Sequence, residues 1–186
     1  MRSRRWPVIA MIGLALAIGA GANAVEQNHL ASGWHTVARG DEGGDLTVGN
    51  LQVHVHGAVA SPVLDDDEPV TSPGSFVLVD LSYATTDSWF LPESPVLVDG
   101  DGREYTEPSG FGSAGGVWMA GPDIWYRGGL LFEVPTDVVD DLSIEFRPER
   151  TQALLPSTVL RVPLTVSLSA EPLVLGYPTV LAEGER

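Results

Sequence analysis

Beyond residue 33 the chain alternates apolar and polar positions with a period of two, the spacing that turns every second side chain to one face of a strand. Leu51, Val53, Val55 and Val59 alternate with Gln52, His54 and His56, predicting a strand over residues 51–60 with one buried face. Residues 34–39 predict a first short strand. Residues 76–83 are apolar on both sides, with Phe76 and Leu78 on one and Val77, Val79, Leu81 and Tyr83 on the other. A strand of that kind belongs at a sheet centre. Residues 95–99 and 103–106 flank Gly100-Asp101-Gly102 and read as a hairpin. Leu130, Phe132 and Val134 share one face of a strand ended by Pro135, and residues 136–141 form a polar connector. Leu142, Ile144 and Phe146 alternate with Ser143, Glu145 and Arg147, and Leu160 to Leu168 repeat the pattern against Arg161, Pro163, Thr165 and Ser167. Pro163 cannot donate to a ladder, so that last strand is expected at a sheet edge or with the proline turned outward.

Between these strands lie loops. Residues 62–75 carry the run Asp65-Asp66-Asp67-Glu68 and the turn Ser72-Pro73-Gly74, and read as a surface loop. The glycine-rich stretch 110–122 carries Phe111, Val117 and Trp118, with Trp125 and Tyr126 just beyond, and reads as a loop packed against the domain. Fourteen prolines and 21 glycines leave no room for long helices. The expected fold is all-β, an immunoglobulin-like β-sandwich of about six to eight strands preceded by one N-terminal hydrophobic helix. A small barrel is the alternative.

At the N-terminus the pattern changes. Arg2, Arg4 and Arg5 precede an uncharged stretch of 20 residues, 6–25, which reads as a signal peptide or a signal anchor. Ala22-Asn23-Ala24 offers a cleavage site, whereas 20 residues at a helical rise also span about 30 Å of hydrocarbon. Either way the arginines stay on the cytoplasmic side and the remainder is exported. The chain then divides into residues 1–25, a short stem 26–32, the sandwich 33–170 and a tail 171–186.

Charge sharpens this division. All 25 acidic residues follow the apolar run, against seven of the ten arginines, so the exported part carries a net −18. Such a field repels nucleic acid. Calcium, cationic partners and plain solubility stay compatible with it. The chain has no cysteine, which removes disulfides, thiolate nucleophiles and the lipidation site of a lipoprotein.

Four stretches then carry a likeness: Gly33-Trp34-His35-Thr36-Val37, Phe76-Val77-Leu78-Val79-Asp80-Leu81, Leu97-Val98-Asp99-Gly100-Asp101-Gly102-Arg103-Glu104-Tyr105, and Gly129-Leu130-Leu131-Phe132-Glu133-Val134-Pro135. In this order they resemble an exported bacterial immunoglobulin-like domain family of undefined function, found in lipoproteins and membrane-anchored proteins of Gram-positive bacteria. The resemblance implies a β-sandwich without known catalytic residues. The chain departs from the lipoprotein members by lacking their lipidated cysteine.

Candidate chemistry is sparse. His54 and His56, at i and i+2 on one strand face, suit a copper or zinc ion, and the polar side of a half-buried strand explains them equally well. Asp99, Asp101 and Glu104 resemble a calcium loop, but a hairpin turn accounts for the same residues. Ser, His and Asp occur without a G-x-S-x-G elbow, so no enzyme is expected. Trp118, Trp125 and Tyr126 form either a binding ledge at one end of the sandwich or a plug for its core. The expected function is a non-enzymatic extracytoplasmic module, anchored through residues 6–25 or secreted. It would contact an envelope protein or polymer, without cofactor and without nucleic acid. The alternative is a periplasmic metal-binding protein using His54 and His56.

Overall fold

The computed structural model describes residues 35–66, 68–87, 94–108, 120–147 and 157–186. Apart from His35 these belong to one compact unit made of Thr36–Ala153 and Ser157–Arg186. The strands are β1 (His35–Arg39), β2 (Asp45–Val48), β3 (Leu51–Asp66), β4 (Glu68–Thr85), β5 (Val96–Asp99), β6 (Glu104–Tyr105), β7 (Tyr126–Val134), β8 (Leu142–Phe146), β9 (Ser157–Pro163), β10 (Val166–Leu168), β11 (Leu173–Val174) and β12 (Thr179–Val180). The polar connector after Pro135 is one turn-like 3-10 helix, Thr136–Asp141. One sheet has the order β1-β9-β8-β5-β6, and the other runs β10-β3-β4-β7-β12 with β2 and β11 also paired to β3. A single buried cluster draws on both, with Val53, Val55, Val79, Leu81 and Phe132 from the second and Leu97, Ile144, Phe146, Leu160 and Val162 from the first. The described residues are therefore all-β, two sheets packed across one apolar core. They include twelve strands rather than six to eight, because β2, β10, β11 and β12 have two to four residues each and cannot display a period. The expected N-terminal helix falls in residues 1–34 and the expected stem in 26–32, outside the described residues; among those described, no helix is long and apolar enough to cross a membrane.

The strand predicted over residues 51–60 exists, but it changes phase midway. Val55 pairs with Leu81 and Gly57 with Asp80, so His56 is the extra residue of a β-bulge. The side-chain period is two, so one inserted residue exchanges inside and outside. Ala58 and Ala60 thus face the core, and Val59, expected beside Leu51 and Val53, is 38% exposed. Gly57 sits at φ 145°, where a Cβ would meet no atom within 4 Å. Gly57→Ala is accordingly expected to destabilise by about 1–2 kcal/mol through backbone strain alone, read as a lowered urea midpoint.

The stretch 62–75 is not a simple loop. The β3–β4 hairpin continues through Val63↔Thr71 to Asp66↔Glu68, so Asp65, Asp66 and Glu68 belong to its paired strands. Ser72-Pro73-Gly74, expected as a turn, lies within β4, where the pairing with β3 slips from Val63↔Thr71 to Ser61↔Phe76; the Ser72 hydroxyl donates to Glu133 Oε1 at 2.6 Å and accepts from the Gly74 N–H at 2.9 Å. A side chain at Gly74 would collide with the Val134 carbonyl oxygen.

The expected strand 160–168 is two strands. β9 lies between β1 and β8, away from the sheet edge, and ends at Pro163 opposite Ser143. After one more contact, Leu164 N–H to Leu142 C=O at 2.9 Å, the chain leaves that sheet, and β10 runs parallel to β3 as an edge of the other. Proline thus marks the exit from a ladder it cannot continue.

Residues 171–186, expected as a tail, are part of the fold. β11 pairs with β3 at Leu173↔Leu64, and β12 pairs with β7 at Thr179↔Arg127. Between these two edges the segment must cross the outer face of the sheet. There Leu64, Phe76, Leu131 and Leu173 form a second buried cluster, flanked by Val70, Leu78 and Leu175. This strap accounts for the apolar outer side of β4. Gly128 makes room for it, since an added Cβ would lie 3.1 Å from Pro178; at Gly129 an added Cβ would lie 2.7 Å from Leu78 of the neighbouring β4.

Candidate functional site

The rest of the second sheet's outer face is polar. Across its strands run Asp45 (β2), His54 and His56 (β3), Asp80 and Ser82 (β4) and Arg127 (β7), brought side by side by the registers Asp45↔His54, His54↔Ser82 and Ser82↔Arg127. His54 Nδ1 lies 2.8 Å from Asp45 Oδ1, and His56 Nε2 lies 2.8 Å from Ser82 Oγ. The two imidazoles are 4.7 Å apart between centroids, tilted by 43°. Arg127 grips Asp80 with two hydrogen bonds, Nε to Oδ1 at 3.1 Å and Nη2 to Oδ2 at 2.6 Å. Asp45 is held below the usual carboxylate range, chiefly by its hydrogen bond with His54. Each histidine thus has one nitrogen committed to the sheet. Among the described residues no group of three His, Cys, Asp or Glu side chains is arranged to hold a metal ion.

Burial holds His56 below its ordinary value of 6.5; the charge of Arg127 acts the same way and that of Asp80 opposes it. Because the folded form is the weaker base, the unfolded chain takes up the proton first as pH falls. The His56 contribution to stability is therefore complete above about 6.5 and lost as pH drops through the folded value. Replacing it by glutamine is expected to flatten the urea midpoint between pH 7 and pH 5 relative to the native chain.

Of the expected aromatic group, Trp118 lies outside the described residues. Tyr126 packs against the main core and stacks on Tyr83, with centroids 5.7 Å apart and planes 20° apart. Trp125 instead faces a cleft of about 500 Å³ lined by Ile124, Val180 and Leu181, and the Arg186 guanidinium lies 4.2 Å above its ring. The pair that looked equivalent in sequence is divided, one ring half-buried against the main core and the other buried beneath an arginine.

Asp99 resembles a calcium ligand only in sequence. Its Oδ1 accepts the N–H groups of Asp101 and Arg103 at 3.0 and 2.9 Å, and its Oδ2 accepts Arg103 Nε at 2.7 Å and the Tyr105 hydroxyl at 2.8 Å. Four donors convert this carboxylate into the clamp of the β5–β6 turn. Burial opposes ionisation, but the Arg103 N–H, Tyr105 and the Arg103 guanidinium prevail and hold the acid below its usual range. Asp99→Ala is expected to lower the melting temperature and to speed amide exchange in residues 99–105.

One polar cluster had no counterpart in the sequence reading. Glu145, placed with the polar side of its strand, is 1% exposed. Its Oε2 accepts Arg161 Nε and Nη2 at 3.1 and 2.7 Å, and its Oε1 accepts Arg147 Nε at 2.9 Å. Arg147 Nη2 also reaches Glu104 Oε1 at 2.6 Å. The available signal was that Glu145, Arg147 and Arg161 are charged residues at outward positions; the cross-strand register that joins them was missing.

The fold and these surfaces define a class, an all-β protein of two packed sheets, one of which has an outer face that is apolar where the chain's own strap covers it and polar elsewhere. Set against models of known protein families, curated proteins and solved structures, the chain matches none of them.

Proposed function

We propose that this chain is a non-enzymatic extracytoplasmic module of immunoglobulin-like type. In this reading residues 6–25 hold it at the outer face of a membrane, and it contacts another envelope protein or polymer. The observation that carries the reading is the division of charge: three arginines precede the apolar run, and all 25 acidic residues follow it. The two-sheet architecture supports the domain type, and three of the four family-like stretches lie on β4, the β5–β6 hairpin and the end of β7. Fractionation of the native host tests it. The expected result is an intact chain in the membrane fraction, cleaved by protease added outside the cell. A mature N-terminus at Val25 in the medium would remove the anchor and keep export. Recovery in the cytoplasm would overturn the proposal.

A second reading, metal binding by His54 and His56, rests on the 4.7 Å approach of the two rings. The nitrogens opposite those bound to Asp45 and Ser82 would serve as ligands. Calorimetric titration with copper or zinc decides it: saturable heat that disappears in His54→Ala supports the reading, and no heat above buffer removes it.

A further inference from the structure

The cleft over Trp125 carries more than a packing role. Its indole is nine-tenths buried, yet the group on its outer face is a cation, the Arg186 guanidinium 4.2 Å from the ring centroid. The same guanidinium approaches Asp45, Nε to Oδ2 at 3.5 Å, and the acidic residues Asp123 and Glu183 are among those lining the cleft. A flat aromatic face with a carboxylate within reach, in an acidic surround, suits guanidinium, which stacks on the one and pairs with the other. Besides the ring and Asp45, the guanidinium has a hydrogen bond within its own segment, Arg186 Nη1 donating to the Glu185 carbonyl at 3.0 Å, and the cleft's own hold on Arg186 is modest. Its side chain is 37% exposed and that of Asp45 61%, and 3.5 Å is longer than a good N–H···O bond.

We infer that this cleft is a guanidinium receptor, filled in the isolated chain by Arg186 and taken over by an arginine-bearing segment of a partner. The partner chemistry follows from charge: an exported part with seven basic and 25 acidic residues attracts a cationic surface and repels an acidic one. Arg186 is then an occupant in cis that sets a threshold for binding in trans. The inference names the partner chemistry of the proposed module, but its test addresses the cleft itself, so its failure leaves export and anchoring standing.

The test is titration of the full chain in detergent with acetyl-Gly-Arg-Gly-amide, followed by the indole N–H resonance of Trp125, with the glutamine peptide as control. Saturable movement of that resonance by the arginine peptide alone is expected. Arg186→Ala should bind it about 3- to 30-fold tighter, because the competing contact is gone. Adding Asp45→Asn to that variant should remove at least about threefold of the gain. Both changes are at exposed side chains, so the fold is retained. Equal response to the two peptides, no gain in Arg186→Ala, or an unmoved Trp125 resonance would each overturn the inference.

Discussion

A chain ending at Ala170 is expected to lose about 4–6 kcal/mol of stability, bind a dye that reports exposed apolar surface, and be cut rapidly by protease. The strap removed in this variant supplies Leu173 and Leu175 to the outer cluster and covers Leu64, Phe76 and Leu131. Full burial of one such side chain is worth about 1.5–3 kcal/mol. Two lost side chains together with three uncovered ones reach the stated range after allowance for partial collapse. Domains of this size are stable by about 5–15 kcal/mol, so the truncated chain lies close to its unfolding threshold. Leu173→Ala isolates the effect at one residue, with an expected loss of about 2–3 kcal/mol in urea denaturation. A dispensable tail would leave both variants at the native midpoint.

Glu145→Ala comes next, with an expected loss of about 2–4 kcal/mol. Removing one partner of a buried ion pair typically costs about 3–5 kcal/mol, because the remaining charge is left without a partner. Here the figure is reduced, since Arg147 and Arg161 are 27% and 33% exposed and can regain water. Replacing Glu145 and Arg161 together by leucine should recover part of the loss, as apolar pairs of similar size often substitute for buried ion pairs.

The same carboxylate predicts a pH dependence. Burial raises the Glu145 pKa, but the hydrogen bonds from Arg161 and Arg147 outweigh it, and the net displacement is downward from 4.5. The folded state therefore binds fewer protons than the unfolded one just below that pH, and stability rises with pH there. Its contribution is complete above about 4.5 and lost as pH falls through the folded value. Glu145→Gln should lack this portion of the acid limb. The difference between native and variant midpoints from pH 6 to pH 3 isolates it from Asp99, whose pKa is lowered as well.

The bulge at His56 shows why part of the fold was legible and part was not. Leu51, Val53 and Val55 announced a buried face, but an inserted residue costs one backbone irregularity and leaves no mark on composition. Val59 was therefore assigned to the wrong face. At Pro163 the missing N–H and the outward, exposed position were legible, and the change of sheet that follows it was not. A proline that ends a ladder can mark an edge or an exit to another sheet, and only the contacts of β10 with β3 distinguish the two. The candidate site divided in the same way. His54 and His56 could be picked out as neighbours on one strand, whereas Asp45, Ser82 and Arg127 join them through registers spanning up to 45 positions, from Ser82 to Arg127.

Local chemistry decided much by itself. Alternation determined the strand character of β3, β7, β8 and β9, the glycine-rich turn determined the β5–β6 hairpin, and the two-sided apolar run of β4 determined that both its faces would be covered. These follow from neighbours a few residues apart, which sequence specifies directly. What covers the outer face of β4, which charges meet Glu145, and that Trp125 lies under Arg186 while Tyr126 joins the core were decided only by the tertiary structure. Those contacts join residues far apart in the chain. A short strap of two-residue strands has no periodicity to announce it, and its place comes from the apolar surface it buries once the rest of the sheet exists.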